Sequence, residues 1–219
     1  ELVENVAVAQ SAVCMLLNLI HDLLDYFQIE SRKFRIVPDV FNPQDEIESC
    51  VKLLQWKANL KSLKIVTDIH PSVPTQIRND PNRFRQVVLN LLSNALKFTE
   101  KGRIDVSAEL IFRQEAQADR KALIKVNVKD TGIGIREEDL DVLFQEFGTI
   151  KDRRNNTLNP QGVGLGLVIS RSICERIGTC LEVNSTYNEG TEFWFTVDCN
   201  IDQDNHFKID MPSKKTTNR

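Results

Sequence analysis

The first 30 residues carry a repeat of apolar side chains that constrains the fold more than any other feature of the chain. The repeat spaces its members alternately four and three residues apart, at Leu2, Val6, Ala9, Val13, Leu16, Ile20, Leu23 and Phe27. This spacing is typical of a coiled-coil seam and predicts one long helix over residues 2–30. Apolar side chains such as Leu17 and Tyr26 flank the seam, so we expect the helix to lie in a helical bundle.

The composition is that of a folded globular protein. Of the 219 residues, 41% are hydrophobic and 27% are charged. The formal net charge of −3 argues against a nucleic-acid partner. No apolar run has the length of a membrane span, so we expect a cytoplasmic location, either free or as the cytoplasmic part of a receptor. The five cysteines include no Cys-x-x-Cys pair, which favours reduced thiols over a disulfide framework or a zinc site.

Helical and alternating patterns follow one another after residue 36. Asn42-Pro43 and Asp80-Pro81 each predict the start of a helix, ending near Lys61 and Phe98 respectively. Further helices are predicted near 137–146 and from 163 to 177, the second closed by Gly178. Alternating apolar residues predict strands at 64–69, 103–113, 122–130, 180–185 and 191–198. The predicted fold class is α+β, a two-layer sandwich of a mostly antiparallel sheet with helices on one face.

The predicted helix 81–98 has a polar stripe beside its apolar face. The stripe comprises Arg83, Gln86, Asn90, Asn94 and Lys97, which fall within about 80° of arc at 100° per residue. Amide oxygens can ligate Mg²⁺, and the basic side chains can contact phosphate oxygens. An ordinary solvated face is the alternative, but asparagine is a costly choice for one in mid-helix.

Asp130 ends a predicted strand in the sequence Asp-Thr-Gly-Ile-Gly. It has the same parity as Ile124, Val126 and Val128, so its carboxylate should point to the buried side and require a hydrogen-bond partner. An adenine amino group would supply one, and Gly132 and Gly134 would let the backbone approach a flat ligand. A strand-ending turn with a capping aspartate is the alternative.

Three alternating glycines, Gly162, Gly164 and Gly166, open the last predicted helix. They follow a polar loop rather than a strand, which excludes a dinucleotide-binding fingerprint of the Rossmann type. Free N–H groups at a helix N-terminus still favour a phosphate. The preceding loop, 148–161, contains Lys151, Arg153 and Arg154, and we expect it to cover an anion, although a merely solvated loop is the alternative.

Taken together, these segments resemble the ATP-binding boxes of sensor histidine kinases, over about residues 1–199. The segment 90–99, Asn-Leu-Leu-Ser-Asn-Ala-Leu-Lys-Phe-Thr, resembles the N box, and 130–135 resembles the G1 box. Residues 144–147 resemble the F box, 162–167 the G2 box, and 190–193 the last glycine motif. The order and spacing match, and the resemblance is greatest to hybrid sensor kinases, in which a receiver domain often follows.

The resemblance implies an ATP-binding fold shared with gyrase, Hsp90 and mismatch-repair ATPases, with ATP and Mg²⁺ as its ligands. It implies that Asp130 binds the adenine amino group, that Asn94 ligates Mg²⁺ with Asn90 close by, and that Lys97 contacts phosphate. Asn94 and Lys97 would be the catalytic pair. The rest of the implied pocket is Gly132, Gly134, Ile135, Phe147, Gly162, Gly164, Leu165, Gly166 and Thr191.

The phosphoacceptor histidine of this family has no match among the three histidines of the chain, His21, His70 and His206. His21-Asp22-Leu23 lacks the Arg-Thr-Pro part of the acceptor motif. We therefore expect residues 1–30 to be the second bundle helix, 36–199 the catalytic ATP-binding domain, and 200–219 a polar tail or linker. The implied partners are an acceptor histidine on a helix upstream of Glu1, a second copy through the bundle, and a receiver domain.

Three other functions share this fold. A hydrolytic ATPase would place a glutamate in the N-box helix, and none occurs between Asp80 and Thr99. A nucleotide-sensing or dimerisation module without catalysis would not need the intact Asn94, Lys97 and Asp130. A kinase acting on a serine of a metabolic enzyme is disfavoured because the boxes match those of sensor kinases.

Overall fold

The computed structural model describes residues 2–114, 120–145 and 164–199. Its helices are α1 (Leu2–Glu30), α2 (Pro43–Leu60), α3 (Pro81–Phe98), α4 (Glu137–Leu140) and α5 (Gly166–Ile177). Its strands are β1 (Asp39–Phe41), β2 (Lys64–Ile69), β3 (Ile77–Asn79), β4 (Arg103–Gln114), β5 (Arg120–Asp130), β6 (Glu182–Thr186) and β7 (Gly190–Asp198).

The main sheet has five strands in the order β2-β4-β5-β7-β6. The β2–β4 pair is parallel and the other pairs are antiparallel. Alternate residues of β4, β5 and β7 form one buried face, including Ile104, Val126 and Phe195, each with no exposed surface. Helices α2, α3 and α5 pack on that face, since each contacts the sheet and α3 contacts both neighbours. The predicted α+β sandwich is confirmed.

Helix α3 is central to the helical layer, and its local sequence explains why. The Asp80 carboxylate accepts hydrogen bonds from the amides of Asn82 and Arg83 at 3.0 Å, while Pro81 occupies the first helical position, where no donor is needed. The predicted core face is buried at Phe84, Val87, Val88, Leu91, Leu92 and Ala95. Its last predicted member, Phe98, is only partly buried.

Some element boundaries differ from the predictions. Strands β1 and β3, three residues each, form a separate two-stranded sheet that the alternating pattern did not reveal. Helix α4 is four residues long rather than ten. Helix α5 begins at Gly166 rather than near 163, because Gly164 has φ +77°, which a right-handed helix excludes. Gly178 does end α5, but with extended backbone, and a Cβ there would lie 1.9 Å from the Thr196 carbonyl oxygen.

Helix α1 covers the predicted residues and presents two faces. From Val13 to Phe27 its seam is exposed, with exposed fractions from 43% at Leu23 to 58% at Leu16 and Phe27. Tyr26 and Ile29 pack against the core of the sandwich, and α1 contacts α5. Within the described residues, neither α1 nor any other helix combines the length and apolarity of a membrane span.

Candidate functional site

Asp130 is a buried carboxylate at the end of the central strand β5. It lies between Ile104 of β4 and Thr191 of β7, and its residue is 7% exposed. The Gly132 amide donates to Asp130 Oδ1 at 2.7 Å. Burial raises the pKa of Asp130, and hydrogen bonds from the amides of Gly132 and Thr191 oppose the rise. The predicted inward orientation of this side chain is therefore confirmed.

Close backbone contacts hold the loop after Asp130 against α3 and β6. A Cβ on Gly132 would lie 2.5 Å from the carbonyl oxygen of Phe98, which accepts a hydrogen bond from the Ile133 amide. Gly134 has φ +64°, and a Cβ there would lie 2.0 Å from the Thr186 carbonyl oxygen. The Ile135 amide donates to Ser185 Oγ at 2.8 Å. Glycine is thus needed at both positions for a loop that lies beside the carboxylate.

Two threonines lie beside Asp130, Thr191 on β7 and Thr99 at the end of α3, and sequence reasoning assigned only Thr191 to the site. Thr191 Oγ1 lies 2.9 Å from Ser185 Oγ, and both belong to strands at this edge of the sandwich. Thr99 lies close enough to Asp130 to lower its pKa, but the contact does not meet hydrogen-bond geometry. Thr99 Oγ1 is consequently buried without a hydrogen-bond partner among the described residues. Thr99 directly follows Lys97-Phe98, and this position is the signal that could have pointed to it.

The polar stripe of α3 serves two different purposes. Arg83 and Gln86, in its first half, bind Asp25 of α1 and lie away from the candidate site. Asn90 donates through Nδ2 to Ser170 Oγ of α5 at 2.8 Å. Asn94 and Lys97, half-buried, continue the stripe towards Asp130, and burial lowers the pKa of Lys97. The five side chains thus belong to one stripe of the helix, but Arg83 and Gln86 contact α1 instead of facing the candidate site.

The start of α5 faces the second half of this stripe. A Cβ on Gly166 would lie 2.7 Å from Asn90 Oδ1, so the amide oxygen of Asn90 lies against the first turn of α5. Leu165 is buried at 2% exposure directly before the helix. Gly164 is described, whereas Phe147, Gly162 and the basic loop 148–161 lie outside the described residues. Their predicted roles stay predictions.

Residues 79–201 match the family described as histidine kinase-, DNA gyrase B- and HSP90-like ATPases. The chain is 37% identical to the sensor protein GacS of Pseudomonas syringae pv. syringae over 184 residues, which is 83% of this chain and 19% of that protein. It is also 37% identical to hybrid signal transduction histidine kinase B of Dictyostelium discoideum, over 85% of this chain and 9% of that protein. The chain therefore spans a fifth or less of these curated relatives.

The fold has a counterpart among solved structures. The crystal structure of full-length ShkA in complex with AMPPNP is similar over 83% of this chain and 35% of that chain. The TM-score is 0.68 and the sequence identity is 25%. The segment that matches the ATPase family, residues 79–201, contains α3, the loop after Asp130 and α5, and these elements form the candidate site. The chain belongs to the family of histidine kinase-, DNA gyrase B- and HSP90-like ATPases.

Proposed function

We propose that this chain contains the ATP-binding catalytic domain of a sensor histidine kinase, and that the γ-phosphoryl group of ATP passes to a histidine upstream of Glu1. The observation that carries the proposal is the buried Asp130 carboxylate at the end of β5, beside the buried side chain of Thr99. The charge of the buried carboxylate stays costly even with its amide hydrogen bonds, since burial still raises the pKa of Asp130, and a polar ligand that donates a further hydrogen bond would stabilise it. Similarity to the sensor protein GacS and to hybrid signal transduction histidine kinase B supports the proposal.

The base of the nucleotide would lie at Asp130. Its carboxylate would accept a hydrogen bond from the exocyclic amino group of adenine, and Thr99 Oγ1 would bond the ring edge directly or through a water molecule. Gly132 and Gly134 keep the adjoining backbone free of side chains, and Thr191 borders the same end of the site. A guanine would present an oxygen where adenine presents the amino group, so an ionised Asp130 would reject it.

The phosphates would lie between the second half of the α3 stripe and the start of α5. Lys97 offers a positive charge, and the first amides of α5 offer donors at the positive end of a helix dipole. No described group of three or more histidine, cysteine, aspartate or glutamate side chains could hold a metal by itself. The amide oxygens of Asn94 and Asn90 fit Mg²⁺ that arrives with the phosphates, where the ion would neutralise charge on the transferring group.

The acceptor would lie outside this chain. His21 is exposed on α1 and lacks the family's acceptor motif, while His70 Nδ1 lies 2.7 Å from Ser72 Oγ at the end of β2. His206 lies outside the described residues. A second copy bound through the seam of α1 would supply the bundle, and a receiver domain would take the phosphoryl group onward.

Nucleotide titration tests the proposal. We expect ATP to bind more tightly with Mg²⁺ than without, and Asp130→Asn to weaken binding by about tenfold or more, the effect of one hydrogen bond to a charged group. Asp68→Asn, at an exposed position on β2, is the matched control and should bind normally. Equal binding by wild type and Asp130→Asn would exclude the assigned site.

Labelling with γ-³²P-ATP tests the phosphotransfer. We expect no acid-labile phosphohistidine on residues 1–219 alone, and labelling in a longer chain that includes the upstream segment. Label mapped to His21 would overturn the assignment of the acceptor. Release of phosphate without labelling of the longer chain would instead favour the hydrolase of the same fold.

A further inference from the structure

A lysine at the end of α2 binds the last carbonyl groups of α3. Lys61 Nζ donates to the carbonyl oxygen of Leu96 at 2.6 Å, and to those of Lys97 and Thr99 at 3.4 and 3.5 Å. The last carbonyls of a helix lie beyond the reach of its own amides, and the negative end of the helix dipole lies there. The ammonium group is therefore placed where a positive charge stabilises the end of α3.

The backbone of Lys61 is itself fixed by the way α2 ends. Lys61 is the C-cap of α2, and Ser62 after it has φ +55°. The Leu63 amide donates to the Ala58 carbonyl at 2.9 Å, and the Ser62 amide donates to the Asn59 carbonyl at 3.0 Å. These two bonds form a Schellman motif, whose apolar members Ala58 and Leu63 are buried. The ammonium group thus extends to α3 from an anchored position.

The end of α3 belongs to the candidate site. Lys97 is half-buried in the second half of the polar stripe, and Thr99 is fully buried beside Asp130. Between them, the Phe98 carbonyl accepts the Ile133 amide at 3.3 Å, which holds the loop after Asp130. The lysine of α2 and this loop therefore bind neighbouring carbonyls of one short segment, and that segment carries two residues of the site.

Lys61 has no donor left for a ligand. An ammonium group has three N–H donors, and the bonds to Leu96, Lys97 and Thr99 use all of them. Each acceptor is a main-chain carbonyl. Lys61 can consequently affect a nucleotide only through the backbone of α3, and not by contact with the phosphates.

We propose that Lys61 is a positioning residue of the nucleotide site, which fixes Lys97 for the phosphates, Thr99 for the base and the loop after Asp130. This inference rests on the proposed function, since it assumes that the nucleotide occupies the assigned site. Without the ammonium group, the last turn of α3 loses its partner on α2. The side chains and the loop then occupy several positions, and binding has to order them again.

Nucleotide titration of residues 1–219 tests this role. We expect Lys61→Met to weaken ATP binding by about tenfold, the effect of losing a hydrogen bond to a charged group. Lys61→Arg keeps the charge and the donors, so it should restore most of the affinity. Lys57→Met is the matched control, because Lys57 is exposed one turn earlier, over the ring of Trp56, and it should bind ATP normally. Normal binding by Lys61→Met, or no recovery in Lys61→Arg, would overturn the proposal.

A second variant separates positioning from general stability. Asp80→Ala removes the cap at the opposite end of α3, and the 18 residues of this helix span about 27 Å at a rise of 1.5 Å per residue. We expect this variant to be less stable in urea but to keep the ATP affinity of the wild type. Equal loss of affinity in Asp80→Ala and Lys61→Met would show that Lys61 acts only through stability, which would contradict the proposal.

Hydrogen exchange tests the positioning without nucleotide or activity. We expect the Ile133 amide to exchange about tenfold faster in Lys61→Met than in wild type, while the Val126 amide of the central strand changes only as far as global stability falls. Unchanged protection of Ile133 would overturn the proposal. Lys61→Gln, with the same expectations, replaces Lys61→Met if that variant does not fold. Absence of ATP binding in wild type would contradict the proposed function instead, while the exchange result would still decide whether Lys61 fixes the loop.

Discussion

The buried environment of Asp130 disfavours the ionised form of its carboxyl group. Burial raises its pKa from the usual 3.8, so the folded protein retains a proton to a higher pH than the unfolded chain does. For the free protein, ionisation of Asp130 therefore lowers the free energy of unfolding as pH rises above 3.8. A ligand that donates a hydrogen bond would offset that cost, which is the expected property of a binding residue rather than a structural one.

The pH dependence of ATP binding follows from this shift. As pH falls through the raised pKa of Asp130, its carboxylate becomes protonated and accepts more weakly, so ATP affinity should fall at a higher pH than for an exposed aspartate. Asp130→Asn cannot titrate and should lack this component. Calorimetric titrations measure the ATP affinity of both proteins across the acidic pH range. Because the ionisation of ATP affects both proteins equally, it cancels when their affinities are compared. Parallel pH profiles for the two proteins would contradict the assignment.

We expect alanine substitution to lower the stability of the fold at one glycine of the candidate site and the affinity for Mg·ATP at another. Gly134→Ala places a Cβ 2.0 Å from the Thr186 carbonyl oxygen at φ +64°, so we expect it to destabilise the fold by about 2 kcal/mol or more. Gly166→Ala meets only the end of the Asn90 side chain and gains helix propensity of about 1 kcal/mol. It should keep the fold stable but displace Asn90 and weaken binding of Mg·ATP. Urea unfolding and nucleotide titration separate the two effects, and a loss of stability in Gly166→Ala would refute this explanation.

Among the elements, the long and strongly patterned ones could be predicted from the sequence. Helix α3 and strand β5 combine a clear period with a cap or a turn, and Asp130 was placed correctly from parity alone. Strands β1 and β3 were missed because three residues are too few to show an alternating pattern. The roles of Arg83 and Gln86 were missed for another reason: their partner Asp25 is about 60 positions away, and helical periodicity carries no tertiary information.

The N-terminal caps of α2 and α3 differ in burial and in the number of hydrogen bonds that they accept. The Asn42 side chain accepts one amide, that of Gln44, at 3.0 Å and at an exposed position. Asp80 is 3% exposed and binds the amides of Asn82 and Arg83 through one oxygen and that of Val37 through the other. We expect Asn42→Ala to cost about 1 kcal/mol and Asp80→Ala about 2 kcal/mol or more. Equal losses in denaturant unfolding would show that the bond to Val37 contributes nothing.

At the scale of the whole molecule, the sandwich completes its core without the long helix. Its fully buried side chains include Ile47 of α2, Phe84 of α3, Ile173 of α5 and Phe195 of β7. From α1, Tyr26 and Ile29 pack only at the margin of that core. The helix and the sandwich therefore depend on different partners. The helices of the sandwich bury the apolar face of its own sheet, whereas the exposed seam of α1 needs another helix to bury it.

Removal of residues 1–30 tests this division. We expect residues 31–199 to unfold cooperatively, with a free energy of unfolding lowered by about 2 kcal/mol through loss of the contacts to Asp25 and the apolar packing at the end of α1. ATP affinity should not change, because the nucleotide contacts that we propose lie on α3, β5, β7 and α5. Sedimentation should show residues 31–199 as a monomer and residues 1–219 associating with rising concentration, since only the longer chain carries the seam. Loss of cooperative unfolding in the shorter chain would mean that α1 belongs to the core, and equal association of the two chains would mean that the seam is not the contact surface.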